Sequence, residues 1–257
     1  MEYARLRLRG VYGIIAAVLI LVVAPIYQGL ALGQTYAATI LAIGQSRNFI
    51  PYVAWLTTHL GSDQTFRVIQ AHPLALALLL SGPLCAWLWP EGRRARWIAT
   101  IAGWVGFGIF VLAAVVGFIA SASAASAAAD ATSPTRYLQI VTAFSQEYAL
   151  QSLLSRGIGG VALAIFLGMV GLRLARATRF PRWVAYLTGL VAALEAANAV
   201  VFLLNPLNVL AITASLSLFG VAIWLLVIGV ALWQGVGRAS AAPASETAQQ
   251  VDAPEQE

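Results

Sequence analysis

Long apolar stretches separated by short arginine-bearing turns run along this chain from its start to about residue 233. A helix needs about 20 apolar residues to cross the roughly 30 Å hydrocarbon layer of a bilayer. Six stretches reach or approach that length: 11–32, 73–89, 97–120, 155–172, 183–204 and 207–233. Backbone groups in oil must bond one another, and within one segment only a helix achieves this. The pattern predicts an all-α fold, a polytopic transmembrane bundle of about six spans. The second stretch is short and contains Pro83, so a kink or an extension back over 66–72 is expected.

Arginine placement orients the bundle. Arg5, Arg7 and Arg9 precede the first stretch, and Arg93, Arg94 and Arg96 lie between the second and third. Arg173, Arg176, Arg179 and Arg182 lie between the fourth and fifth, and Arg238 follows the sixth. Six crossings put all of these on one side and leave Arg47, Arg67, Arg136 and Arg156 on the other. Basic residues collect in short cytoplasmic loops, so both termini are expected in the cytoplasm. The arginine-led first stretch, with Ala31, Leu32 and Gly33 at its end, also has the outline of a secretory leader. Its apolar run exceeds the roughly 7–15 residues of a leader core, so a retained first helix is expected.

Two outer connections carry structure of their own. The apolar patches 36–43 and 49–60 flank Gly44, Arg47 and Asn48, and each is too short to span. They read as interfacial or re-entrant pieces anchored by Tyr52 and Trp55. In 136–154, Tyr137, Ile140, Val141, Phe144, Tyr148 and Leu154 keep three-to-four spacing, with Gln139, Gln146 and Glu147 between them. This predicts an amphipathic outer-surface helix that starts at Pro134. The Ser/Ala run 121–129 reads as the frayed end of the third span, and the two connections are expected to cap the bundle together. Asn205–Pro206 predicts a tight third turn.

Composition narrows the class. The chain is 60% hydrophobic and 10% charged, with mean hydropathy +0.82, against about a quarter charged in soluble domains. The basic residues are arginines in turns, a topology signal and not a nucleic-acid surface. The expected partner is therefore the lipid bilayer, with a membrane-protein partner or homo-oligomer as the further option. Arginine and alanine richness without lysine suggests a GC-rich bacterial genome, and hence the bacterial cytoplasmic (inner) membrane. Residues 1–238 read as one transmembrane domain. The acidic Ala/Ser/Pro/Gln-rich tail 239–257 reads as a disordered cytoplasmic segment that either recruits a partner or solubilises the chain.

Glu195 is the sharpest candidate for chemistry, being the one acid near the middle of a span. An ionised acid costs roughly 2.5–3.5 kcal/mol at a helix centre. Asn198 and Thr188 share its helical face, and Gln28 on the first span is a candidate for the same polar site. That site reads either as a proton-exchange or ligand site, or as a neutral acid bonded to the next helix. Pro25 predicts a kink beside Tyr27 and Gln28. Small residues recur every fourth position at Ala185, Gly189, Ala193 and Ala197, at Gly160, Ala164 and Gly168, and at Ala113, Gly117 and Ser121. They predict close internal packing, with a dimer face as the alternative.

No nucleophile elbow, phosphate loop or dinucleotide fingerprint is present. His59 and His72 lack a metal-ligand context, so no metal or cofactor is expected. Lone Cys85 has no intramolecular disulfide partner. From Arg179, Phe180, Pro181, Arg182 and Trp183 through the last two spans to Trp233, the chain resembles a group of uncharacterised six-helix bacterial membrane proteins. In that group a Pro-Arg-Trp entry precedes a glycine- and alanine-rich hairpin. The resemblance covers about the last third of the chain, with fainter similarity at the arginine-rich start and first span. It implies a six-helix fold and carries no catalytic residue; the connection 34–70 departs from it.

The expected function is non-enzymatic: a scaffold, accessory subunit or sensor. The alternative is a small proton-coupled transporter that uses Glu195, with Asn198 and Gln28 along the path. An intramembrane enzyme would require His59 or His72 to meet Asp63 or Glu147 on the outer face.

Overall fold

The computed structural model describes residues 2–90, 92–177, 180–205 and 212–234. Arg179, Arg238, the turn at Pro206, the start of the sixth stretch and the tail 239–257 lie outside the described residues. Among the described residues every regular element is helical, and six helices are long and apolar enough to cross a membrane. The chain is a helical bundle of multi-pass membrane type.

The first helix is α1 (Glu2–Val18), α2 (Ala24–Tyr27) and α3 (Gly33–Ser46), joined by π-helical stretches Leu19–Val23 and Gln28–Leu32. Pro25 explains the irregularity, since its ring removes a donor and crowds the preceding turn. Gly33 then takes φ +70° and ψ −171°, a backbone state open to glycine. α3 leaves the axis of the span there. Its last residue is followed by Arg47 in the left-handed region, whose Nη2 donates to Asn205 Oδ1 (3.3 Å).

The second helix, α4 (Ile50–Leu88), is not straight. His59 has φ −125° and ψ 20°. In a straight helix Tyr52 and Arg67 would stand about 22 Å apart along the axis. Instead Arg67 Nη2 donates to the Tyr52 hydroxyl at 2.9 Å. The stretch 50–58 therefore folds back against the rest of α4, just as α3 folds away from the first span.

The expected extension of the second span over 66–72 is present and continues much further back. The third helix, α5 (Arg93–Ala129), also outruns expectation. The Ser/Ala run 121–129 is not frayed: it is helical, and Ala124, Ala125 and Ala128 are buried. Alanine there lets other helices close on it. α6 (Pro134–Ser152) starts with Pro134 in its first turn, and the Ser133 hydroxyl accepts from the Arg136 amide at 3.3 Å. A π-helical stretch, Leu153–Gly159, joins it to α7 (Gly160–Arg176). α8 (Arg182–Leu204) and α9 (Ile212–Gln234) complete the bundle.

Two cores result. One fills the middle of the bundle around Leu84, Phe107, Phe166, Trp224 and Leu225. The other is the cap expected from the two outer connections. Tyr36, Phe49, Tyr52 and Trp55 come from the first connection, Val141 and Phe144 from the second, and α5 supplies its alanines. Aromatic rings dominate it: Trp55 lies 5.2 Å from Tyr36 and 6.0 Å from Tyr52, and Phe49 meets Phe144 edge-on. The opposite end holds the arginine-rich turns. There Arg173 Nε donates to the Leu88 carbonyl at 2.8 Å, closing the end of α4. Exposed Trp97, Trp183 and Trp233 ring that end. Large apolar side chains such as Leu79, Leu112, Ile119 and Leu190 are exposed along the flanks, as lipid contact requires.

Candidate functional site

Between the two cores lies a cavity of about 210 Å³. α8 contributes Glu195 and Asn198; α9 contributes Ser217, Leu218 and Val221; α4 contributes Arg67, Gln70, Pro73 and Leu74. Phe110, Ala113 and Ala114 come from α5, Gln151 from α6, and Ser155 and Arg156 from the π-helical stretch that joins α6 to α7. Ile20 and Ala24 of the first helix close one wall. The irregular stretches Leu19–Val23 and Leu153–Gly159 both reach this cavity. An added residue in a helical turn re-aims the face that follows, and such bulges gather at functional sites.

Glu195 and Asn198 are almost wholly buried, 2% and 3% exposed. Ser217 Oγ donates to Glu195 Oε1. Glu195 Oε2 and Asn198 Oδ1 have no hydrogen-bond partner among the described residues. Each such buried acceptor costs about 1–3 kcal/mol unless something fills the space beside it. Arg156, across the cavity, sits over the Phe202 ring with its Cζ 4.8 Å from the centroid. That cation–π contact holds the guanidinium without neutralising it.

Arg67 is bound differently. Its Nε donates to Asp63 Oδ2 at 2.6 Å and its Nη2 to the Tyr52 hydroxyl, which itself donates to Asp63 Oδ1 at 2.7 Å. This triad ties the folded-back stretch 50–58 to the shaft of α4, on the boundary between cap and cavity. Gly117 makes room for it: a Cβ there would lie 2.5 Å from Arg67 Nη1 and 2.6 Å from Gln151 Nε2. Gln151 in turn donates to the Ala113 carbonyl at 2.8 Å.

The expected polar site is thus divided. Glu195 and Asn198 meet in the cavity. Thr188 lies on the same helical face and is buried, but it is two turns away; its hydroxyl donates to the Val184 carbonyl and accepts from Trp224 Nε1 at 3.1 Å. Gln28 does not join Glu195: it opens the π-helical stretch Gln28–Leu32, is exposed and does not line the cavity. Two bases, Arg67 and Arg156, line the same cavity as Glu195. The signal for them was in the sequence, as two arginines that belong to no arginine-rich turn.

The small-residue stripes divide as well. Ala113, Gly117 and Ser121 face inward, and Gly160 packs on Ala199. Gly189, Ala193 and Ala197 are exposed, and nothing lies within 4 Å of a Cβ built on Gly189. The polar row Thr188, Glu195 and Asn198 takes the inner face of α8, which turns that stripe outward. His59 stacks on Trp55 at 4.9 Å, and His72 Nδ1 pairs with the Val68 carbonyl; neither meets Asp63, which is held by Tyr52 and Arg67. Compared with protein-family models, with curated proteins and with solved structures, the chain matches none.

Proposed function

We propose that this protein is a non-enzymatic membrane sensor or accessory subunit that binds a small polar ligand in the cavity between bundle and cap. The observation that carries the reading is a pair of buried oxygens without a hydrogen-bond partner among the described residues, Glu195 Oε2 and Asn198 Oδ1, on two residues that line a cavity together with Arg156. A carboxyl serving only to join helices would be satisfied by its neighbour. Glu195 is half satisfied, by Ser217; its other oxygen is buried in the cavity wall with no hydrogen-bond partner among the described residues. The cavity's walls mix a few polar groups with apolar ones, the usual make-up of a ligand site.

The reading requires that the cavity can be entered. With Cys85 replaced by serine, a cysteine at position 114, where Ala114 lines the wall, should react with a small hydrophilic methanethiosulfonate in proteoliposomes. Absence of reaction would remove the ligand-binding reading.

The orientation proposed is cytoplasmic for the arginine-rich end, in an inner membrane. Arginines and a tryptophan ring at one end support it. Cysteines at positions 65 and 130 should then label from outside, and one at position 94 only after permeabilisation. Reversed labelling would overturn the orientation.

A second reading, proton-coupled transport, is favoured by the free carboxyl oxygen of Glu195 beside a cation it does not touch. Proteoliposomes would then show proton flux that Glu195→Gln abolishes. Flux unchanged in that variant would exclude Glu195 as the carrier.

A further inference from the structure

Resting on the reading of the cavity as a ligand site, we infer that its ligand is a small zwitterion, with a primary ammonium a few bonds from a carboxylate or phosphate. The donors and acceptors of the cavity are sorted by position. Glu195, Asn198 and Phe202 fall three and four residues apart on α8, so they form a row along one face. Glu195 and Asn198, whose Oε2 and Oδ1 are buried without a hydrogen-bond partner among the described residues, stand at one end. Arg156, seated on Phe202 and in no salt bridge among the described residues, stands at the other. Among the described residues the ion pair is Arg67–Asp63; Glu195 and Arg156 line the same cavity without touching.

This arrangement selects a class. A simple anion would satisfy Arg156 and leave the two acceptors empty. A simple amine would do the reverse. A ligand with N–H donors at one end and anionic oxygens at the other satisfies both and leaves the charge of the cavity unchanged. Arg67 does not disturb the balance, because Asp63 already offsets it.

Spacing and volume agree. The levels of Glu195 and Phe202 are about 10 Å apart along the helix. That is room for two hydrogen bonds of about 2.9 Å with a short molecule between them. The volume of about 210 Å³ is below the roughly 300–1,000 Å³ of drug-sized sites, so the occupant is no larger than an amino acid or a lipid headgroup. Leu74, Phe110 and Leu218 supply an apolar wall for a side chain.

Two sources offer this chemistry, free amino acids and ethanolamine lipids. The test uses the purified full chain and tryptophan fluorescence titrations, with apolar amino acids (alanine, valine, leucine, phenylalanine) and glycerophosphoethanolamine as zwitterions. Isoamylamine and 4-methylpentanoate serve as the two halves of leucine. At least one zwitterion should bind tenfold or more tighter than either half. Binding by an amino acid identifies a soluble ligand; binding by glycerophosphoethanolamine identifies a lipid headgroup, and ethanolamine lipid but not choline lipid should then protect the chain against thermal unfolding in nanodiscs. Glu195→Gln should weaken zwitterion binding tenfold and leave the carboxylate half unaffected; Arg156→Gln should weaken it and leave the amine half unaffected. Equal binding of zwitterion and halves, or no binding by any probe while position 114 still labels, would overturn the zwitterion assignment and leave the cavity reading standing. Failure of position 114 to label would instead remove the cavity reading itself. The comparison of ligands on the unaltered chain decides the matter even where a variant does not fold.

Discussion

Asp63→Leu should be among the most destabilising single changes in the cap, lowering stability by about 3–5 kcal/mol, because it strands a buried guanidinium. Asp63 is 1% exposed and Arg67 14%, so the guanidinium keeps little contact with solvent to offset the lost carboxylate. The remaining partner, the Tyr52 hydroxyl, is neutral and would lose its own acceptor as well. The same reasoning makes the double variant Asp63→Leu/Arg67→Met much milder. Removing both charges removes the desolvation cost along with the attraction, and an apolar pair of similar size is often neutral or better. Tyr52→Phe should fall between, at roughly 1.5–3 kcal/mol for hydrogen bonds to charged groups. Thermal unfolding in detergent, followed for all three variants, checks this ordering. A double variant as damaged as Asp63→Leu would show that the triad is not the tie between cap and shaft.

That triad also shows where sequence reading stops. The spans were legible because a long apolar run in oil has one way to satisfy its backbone. The cap was partly legible: Tyr52, Trp55, Tyr137 and Phe144 stood at recognisable anchor or helical spacings. Its two joints were not. Gly33 stands where the first span was expected to end, yet nothing local separates a glycine that bends from one that packs, and His59 carries no turn signal of its own. Arg67 and Arg156 were visible as arginines outside the arginine-rich turns, yet counting charges for topology hides their packing. Glu195 was found as the one acid near the middle of a span, and Asn198 from helical spacing to it. Ser217, the partner of Glu195, was not, since it comes from the facing helix, and spacing along one chain segment says nothing about what stands opposite. Gln28 was named for its polarity on the first span, and polarity alone does not say which way a side chain faces; it is exposed.

Gly229→Ala should destabilise the bundle by about 1–3 kcal/mol, the range for overpacking an already filled contact, and Gly229→Leu by more. α1 and α9 cross where both backbones are bare. A Cβ on Gly229 would stand 2.7 Å from the Gly10 carbonyl oxygen and 2.8 Å from the Ile14 nitrogen. Seen from the other helix, a Cβ on Gly10 would stand 2.6 Å from the Gly229 oxygen, and one on Gly13 2.7 Å from the Leu225 oxygen. These neighbours are main-chain atoms, which cannot rotate aside as a side chain does. The helices must therefore move apart along their whole contact, losing the dispersion and Cα–H···O contacts that close approach provides. The loss matters beyond the crossing, since α1 leads into Ile20 and Ala24 and α9 into Ser217, all of which line the cavity. Gly189→Ala is the matched control: a Cβ there meets nothing within 4 Å, so its effect should stay within about 0.5 kcal/mol. Thermal unfolding of the two alanine variants in detergent sets them side by side. If Gly189→Ala proves the costlier, the glycine contact that joins the first helix to the last is not where this packing puts it.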